Sequence, residues 1–358
     1  MIGRITPIHV SILLALSLAL AFLSWLLIEQ PVRRATFSLF KGNALLGITG
    51  LAITGMALVG GTIRATNGFE TRLSPVQLDV LAAGSEVDTE HGNCVPVTLV
   101  LAKSHQFCKL GNVDLNTPSV FVWGDSLSLS LRPVLNNIAM KRGATGFLAA
   151  SGGCLPLIDI ARKEPVFADC AETSQRILEI IVAESSIKNV ILIGRWGYFA
   201  EGTSYKDEPT DRFRIKHALL ENISTPESKP AHEVLAIAFE RTISALVAAG
   251  KNIWIVGPIP EVGVNVPKAL YLKSLGIARN YEIEPTRLEF NRRQVYVFQI
   301  LETVAQRYPV RIIWPHIVLC DKNTCMVKAL GKPLYQDENH LSFFGANVIE
   351  GIFESVQF

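Results

Sequence analysis

Two short segments of this 358-residue chain carry residue types that do chemistry together. The first, Phe121-Val122-Trp123-Gly124-Asp125-Ser126-Leu127, is an apolar run ending in a glycine, an acid and a hydroxyl. A serine placed just past a strand and at the start of a helix exposes its hydroxyl. Its own backbone N–H then lies among the unpaired donors of the helix N-terminus, where a developing oxyanion can be held. Alone, such a Gly-Asp-Ser is more often a helix cap. The second segment, Asp337-Glu338-Asn339-His340-Leu341-Ser342, precedes a terminal amphipathic stretch. Three residues apart in a turn, Asp337 and His340 can share a face, with the acid fixing the imidazole tautomer. A hydroxyl, an imidazole and a carboxylate in those roles perform acyl transfer through a serine ester. Asp125 is not the orienting acid, because adjacent side chains diverge.

The elements that must bring Ser126 to His340 read as alternating strands and helices after Thr117. Continuous apolar runs at Ser119–Trp123, Ala144–Ala150, Asn189–Ile193, Asn252–Val256 and Val310–Trp314 predict five strands. Helical stretches run to Arg142, near Glu172–Glu184, over His232–Ala249 and over Glu284–Arg307. Uninterrupted apolar strands separated by amphipathic helices imply a parallel sheet covered on both faces, with its chemistry at the carboxyl ends of the strands.

The front of the chain is different. Only 18% of residues are charged while 49% are apolar, and the mean hydropathy is +0.30. A net charge of +2 gives no bulk electrostatic reason to bind nucleic acid. Ile5–Ile28 and Gly42–Ile63 contain no formal charge apart from His9 in the first. About 20 helical residues cross a hydrocarbon core, so both runs are long enough to span a membrane. A signal peptide would carry its positive charge before a shorter apolar run, whereas Arg33, Arg34 and Lys41 follow this one. Lys and Arg are retained on the cytoplasmic side. The loop Glu29–Lys41 is therefore expected in the cytoplasm, and everything after Ile63 outside it: in a two-membrane bacterium, inner-membrane spans and a periplasmic domain. The division expected is residues 1–63 for the spans, 64–117 for a tether and lead-in, and 118–358 for the α/β domain.

All six cysteines follow the spans, in three close couples. In an oxidising compartment this predicts Cys94–Cys108, Cys154–Cys170 and Cys320–Cys325 disulfides. The rival is a zinc knuckle from His91-x-x-Cys94 and His105-x-x-Cys108, and the compartment favours the disulfides.

Gly124-Asp125-Ser126-Leu127 with Asp337-x-x-His340-Leu341-Ser342 resembles the SGNH/GDSL hydrolase family. More closely, the chain resembles SGNH domains fused behind membrane acyltransferases of the acyltransferase-3 family, which O-acetylate bacterial surface polysaccharides. Ser151-Gly152-Gly153-Cys154-Leu155-Pro156-Leu157 is similar to the second family block and Ile191-Leu192-Ile193-Gly194-Arg195-Trp196 to the third. Val256-Gly257-Pro258-Ile259-Pro260, Leu319-Cys320-x4-Cys325 and Gly331-Lys332-Pro333-Leu334-Tyr335-Gln336-Asp337 also fit. Trp25-Leu26-Leu27-Ile28-Glu29-Gln30-Pro31-Val32-Arg33-Arg34 is similar to the close of the last acyltransferase-3 membrane helix. The resemblance implies a flavodoxin-like three-layer α/β/α SGNH domain with a parallel five-stranded sheet, preceded by two transmembrane helices. It makes Ser126 the nucleophile, His340 the base and Asp337 the orienter, with oxyanion donors at the N–H of Ser126 and of Gly153. The family's third-block Asn is absent: Gly194-Arg195-Trp196 stands there, as in many fused members. Arg195 either supplies a charged substitute, or binds an acid or carbonyl while Trp196 packs over the sheet edge.

The function implied is transfer of an acyl group, acetyl above all, to an envelope polysaccharide (lipopolysaccharide O-antigen included) or a lipid-linked glycan. The alternatives are a deacetylating carbohydrate esterase and a non-catalytic glycan-docking domain. No cofactor is expected in the SGNH domain. The acyl donor, acetyl-CoA, is expected to be used by a multi-span acyltransferase-3 partner, since two spans cannot carry an acyl group across a bilayer. This implies that the chain is a truncation of a longer acyltransferase or docks onto a separate one.

Overall fold

The computed structural model describes residues 7–33, 42–86, 94–112, 117–162, 164–206, 220–222, 230–277 and 282–358. Ile5, Arg34, Lys41 and His91, invoked above, lie outside them. The chain divides into two compact units, Met1–Leu78 and Asp79–Phe358.

In the first unit, the helix Pro7–Ser24 runs through a π-helical turn at Trp25–Glu29 into Gln30–Arg33, and a second helix covers Gly42–Ala65. The windows Val10–Glu29 and Leu46–Ala65 have mean hydropathies of 2.5 and 1.7, and none of their residues is buried in protein. Their length and apolarity suit membrane anchoring.

The second unit is an α/β domain. Its strands, in chain order, are β1 (Cys108–Gly111), β2 (Val120–Gly124), β3 (Thr145–Ala150), β4 (Ile160–Arg162), β5 (Asn189–Ile193), β6 (Leu220–Asn222), β7 (Asn252–Val256), β8 (Val310–Ile313), β9 (Lys328–Ala329) and β10 (Lys332–Pro333). The main sheet has the order β1-β3-β2-β5-β7-β8, while β4 pairs with β6 and β9 with β10. The five predicted strands are the five parallel ones, and β5 and β7 have the predicted limits. The sheet has six strands rather than five, however. β1 adds antiparallel to β3 at the edge, Cys108 opposite Leu148.

Every residue of β2 and β5 is buried, as central parallel strands require. Phe121, Trp123, Val190, Leu192, Ile253 and Ile255 form one core with Ile177, Ile181, Phe239, Leu246 and Leu301 from the helices Cys170–Ala183, Ala231–Ala248 and Val295–Arg307. The helix Ser126–Lys141 packs against β1, β2 and β3 and against Phe343–Val348, which completes three layers. β3 lies on one side of β2 and the later parallel strands on the other. The winding direction therefore reverses at β2/β5, and the crevice of such a fold opens at the carboxyl ends of those strands.

The three disulfides are Cys94–Cys108, Cys154–Cys170 and Cys320–Cys325. Cys94 and Cys108 thus bond each other, and a ring nitrogen of His105 lies 3.3 Å from Arg176 Nη2. Among the described residues no three His, Cys, Asp or Glu side chains are placed to hold a metal.

Candidate active site

Ser126 is the first residue of the helix that leaves β2. Asp125 caps that helix, its Oδ1 accepting the Leu127 N–H at 2.9 Å. The turn is possible because residue 124 is glycine. A Cβ there would lie 2.6 Å from the Ile193 carbonyl oxygen and 2.7 Å from Ser128 Cβ. β2 can therefore approach β5 closely, and Ser126 emerges at the reversal of winding.

Asp337 builds the opposing turn. Its Oδ1 accepts the backbone N–H groups of Asn339 (2.9 Å) and His340 (2.7 Å), and its Oδ2 lies 2.7 Å from His340 Nδ1. Nε2 of the same ring lies 2.7 Å from Ser126 Oγ. The structure thus brings together Ser126, His340 and Asp337. A carboxylate only accepts hydrogen bonds, so Nδ1 carries the ring proton and Nε2 presents its lone pair to the hydroxyl. Ser342 secures the turn from behind, donating to the Pro333 carbonyl at 2.8 Å and accepting the Gly345 N–H at 2.9 Å. Glu86 accepts the Phe343 N–H at 2.6 Å.

The electrostatics fit proton transfer. Burial works against a charged His340, but the hydrogen bond and charge of Asp337, with the charge of Asp125, outweigh it and raise the imidazole pKa. Burial also works against the Asp337 carboxylate, and the hydrogen bonds and charge of His340 with the two backbone donors hold its pKa low. Asp125, 2% exposed, goes the other way. Its desolvation outweighs the N–H groups of Arg195 and Leu127, and its pKa rises.

Gly153 lies in the turn after β3, whose end is fastened to β2 by the Ser151 N–H on the Gly124 carbonyl at 2.9 Å. Its φ is +71°, and a Cβ would come within 2.5 Å of the Phe167 ring. Arg162 Nη1 donates to the Gly153 carbonyl at 2.7 Å, with its guanidinium carbon 3.7 Å from the Phe167 ring centre. Glu164 holds that guanidinium through bonds of 3.1 and 2.9 Å.

Arg195 spans two partners. Its backbone N–H donates to Asp125 Oδ2 at 2.7 Å, while its Nε donates to Glu261 Oε1 at 2.7 Å and its Nη2 lies 2.5 Å from that oxygen. Glu261, 5% exposed, also accepts from Arg293 Nε at 2.7 Å. Burial penalises its charge, but the two guanidinium groups outweigh that and lower its pKa. Trp196 lies in the core rather than over a sheet edge, fully buried, with its indole N–H on the Val256 carbonyl at 2.7 Å.

Sequence reasoning missed Glu261, Arg293, Arg162 and Glu86. Glu261 had a signal, an acid directly after the Val256–Pro260 block and hence past the end of β7. The others come from separate elements with no local pattern linking them to the site.

Residues 93–355 match the model of the family described as SGNH domain (fused to AT3 domains). Among solved structures, the periplasmic domain of a lipopolysaccharide acetyltransferase from Salmonella ser. Paratyphi A shares 16% identity. That alignment covers 78% of this chain and 96% of that one, with a TM-score of 0.50. A GDSL-like lipase from Bacteroides thetaiotaomicron shares 10% identity over 67% of this chain and 90% of that one, with a TM-score of 0.35. No curated protein matches the sequence.

Proposed function

From the premise that this chain belongs to the family of SGNH domains fused to AT3 domains, we propose that it transfers an acyl group through Ser126 to a hydroxyl of an envelope glycan. The observation that carries this reading is the continuous relay Ser126 Oγ–His340 Nε2 and His340 Nδ1–Asp337 Oδ2, each 2.7 Å. In the first half-reaction Ser126 Oγ bonds to the acyl carbon while Nε2 takes the hydroxyl proton. The donor's bond to that carbon breaks, and its leaving group receives the proton from His340. In the second, an acceptor hydroxyl gives its proton to Nε2 and attacks the Ser126 ester, and Ser126 leaves with the proton. The N–H groups of Ser126 and Gly153 receive the oxyanion.

Arg195 is assigned a positioning role. Its guanidinium is held by a buried acid, and its peptide N–H joins the carboxyl end of β5 to Asp125 beside Ser126. The two apolar helices serve as a membrane anchor, and the acting domain is the compact unit from Asp79 onward, because β1 and Glu86, which lie in the stretch expected as tether and lead-in, belong to its sheet and its catalytic turn. The acyl group is acetyl, delivered from acetyl-CoA by a multi-span acyltransferase-3 domain in the bacterial inner membrane. The glycan, a surface polysaccharide or a lipid-linked precursor, is met in the periplasm. Three disulfides suit that compartment, and the Salmonella domain of similar fold is itself periplasmic. A deacetylating esterase would use the same three residues with water as acceptor.

The test measures how an activated acetyl ester is partitioned by the full chain in detergent, with and without added polysaccharide. Transfer predicts acetylated sugar at the expense of free acetate, lost in Ser126→Ala. Free acetate alone, undiminished by acceptor, would establish hydrolysis instead.

A further inference from the structure

We propose that the tip of the β9–β10 hairpin is a membrane-contact element that touches the anionic headgroup region of a lipid bilayer. Lys332 pairs opposite Ala329, so the connecting loop is the two residues Leu330 and Gly331. Both have positive φ, +50° and +79°. This is the mirror-image turn that matches strand twist, and its first position favours Asn, Asp or Gly because other side chains crowd the left-handed backbone. Leucine is a poor choice there and gains no burial in exchange. Leu330 is 92% exposed, more than any other large apolar side chain among the described residues, Leu51 of the second apolar helix (76%) included. A Cβ built on Gly331 meets nothing within 4 Å. A residue that opposes its own turn and adds nothing to the core points to a surface outside the fold.

Its neighbours indicate which surface. Lys328 and Lys332 flank the tip and are exposed. One apolar side chain between two ammonium groups suits an interface where hydrocarbon begins below a layer of anionic phosphates. Each Lys near such a layer strengthens partitioning about fivefold. As a free ligand so small a tip would bind feebly. The same chain carries two helices of membrane length, however, so the bilayer is present at the effective concentration of a tethered partner.

The hairpin continues directly into the site. Pro333 and Leu334 carbonyls accept from Ser342, and the Gln336 N–H donates to the His340 carbonyl at 3.0 Å. Leu330 and Asp337 are seven positions apart in the chain, at most roughly 25 Å when extended. A seated tip would therefore hold the His340 turn within reach of a lipid-borne acceptor. That consequence rests on the acyl-transfer reading, whereas the contact itself does not.

Because all six cysteines are in disulfides, Leu330→Cys creates a single site for a bimane label in the full chain. The labelled protein is placed in phosphatidylglycerol-rich nanodiscs containing a lipid with a shallow nitroxide quencher. A second chain carries the label on Ser185→Cys instead, at a position exposed near the amino end of β5. The expected result is quenching at 330 at least about threefold stronger than at 185, cut severalfold by Lys328→Glu with Lys332→Glu or by neutral phosphatidylcholine discs. Equal quenching at the two positions would overturn the proposal. So would a label at 330 that is shielded from water but not quenched by lipid, the sign of a protein partner at the tip.

Discussion

Ser126 Oγ and His340 Nε2 lie 2.7 Å apart although 214 residues separate them in the chain. One comes from the helix that follows β2 and the other from the turn that follows β10, so the pair exists only in the folded domain. If the two act as one unit, removing either removes the function of both. Ser126→Ala and His340→Ala are each expected to abolish most ester turnover, and the double variant to be little worse than either, since members of a catalytic unit are not additive. Initial rates of the three variants against a common ester check this. Multiplying losses would mean that the residues act separately.

His340 must be neutral to accept the serine proton, and its pKa is raised above the ordinary 6.5. Activity should therefore fall as pH drops through a value above 6.5, and the acid limb of kcat/KM reports it. Asp337→Asn removes the charge and the acceptor that raise the imidazole pKa. The limb should move to lower pH while the rate at the plateau falls, though less than in Ser126→Ala. A limb that stays in place would mean that another group titrates.

Glu261 is a buried acid held by two guanidinium groups. Arg195→Ala leaves that charge with one of them, and breaking a buried pair costs about 3–5 kcal/mol. The chief expected effect is a lower thermal unfolding midpoint. Per folded molecule, kcat should change far less than in His340→Ala. A normal midpoint with kcat reduced by about 100-fold or more would identify Arg195 as an oxyanion donor instead.

Arg162 fixes the peptide group that follows Gly153. Replacing it with methionine should let the glycine turn relax and misdirect the neighbouring N–H. Losing one oxyanion donor outright costs about 100- to 1000-fold in kcat, so a misaligned one should cost roughly 10- to 100-fold with KM little changed. Arg162→Lys, which can still donate to the carbonyl, should recover part of the loss. Steady-state kinetics separate the two parameters, and a change confined to KM would contradict this role.

The parallel sheet was legible because buried central strands are unbroken apolar runs, as at Asn189–Ile193. β1 was not. Cys-Lys-Leu-Gly is four residues with only Leu110 and Gly111 buried, too short at an edge to show a period. The stretch Glu284–Arg307 reads as one helix, yet it forms Arg287–Arg293 and Val295–Arg307 on either side of Gln294, with the first opened by a Thr286–Glu289 capping box. Gln294 is 1% exposed and leaves helical geometry at φ −104° and ψ 8°, a local break that the spacing of apolar residues does not show. Asp337 and His340 were legible because a three-residue spacing is local. The Glu261–Arg195–Arg293 cluster draws on three separate elements, and its pairing is a property of the fold.

The most direct test of the central claim is whether Ser126 carries the acyl group. The full chain is mixed with an activated acetyl ester, quenched in acid within the first turnovers, and its intact mass and peptides are measured. One added acetyl group is expected, located on the peptide containing Ser126 and absent from Ser126→Ala. It should accumulate in Asp337→Asn if that change slows deacylation more than acylation. Undiminished turnover by a folded Ser126→Ala chain, with no acetyl group on residue 126 of the native protein, would contradict the account.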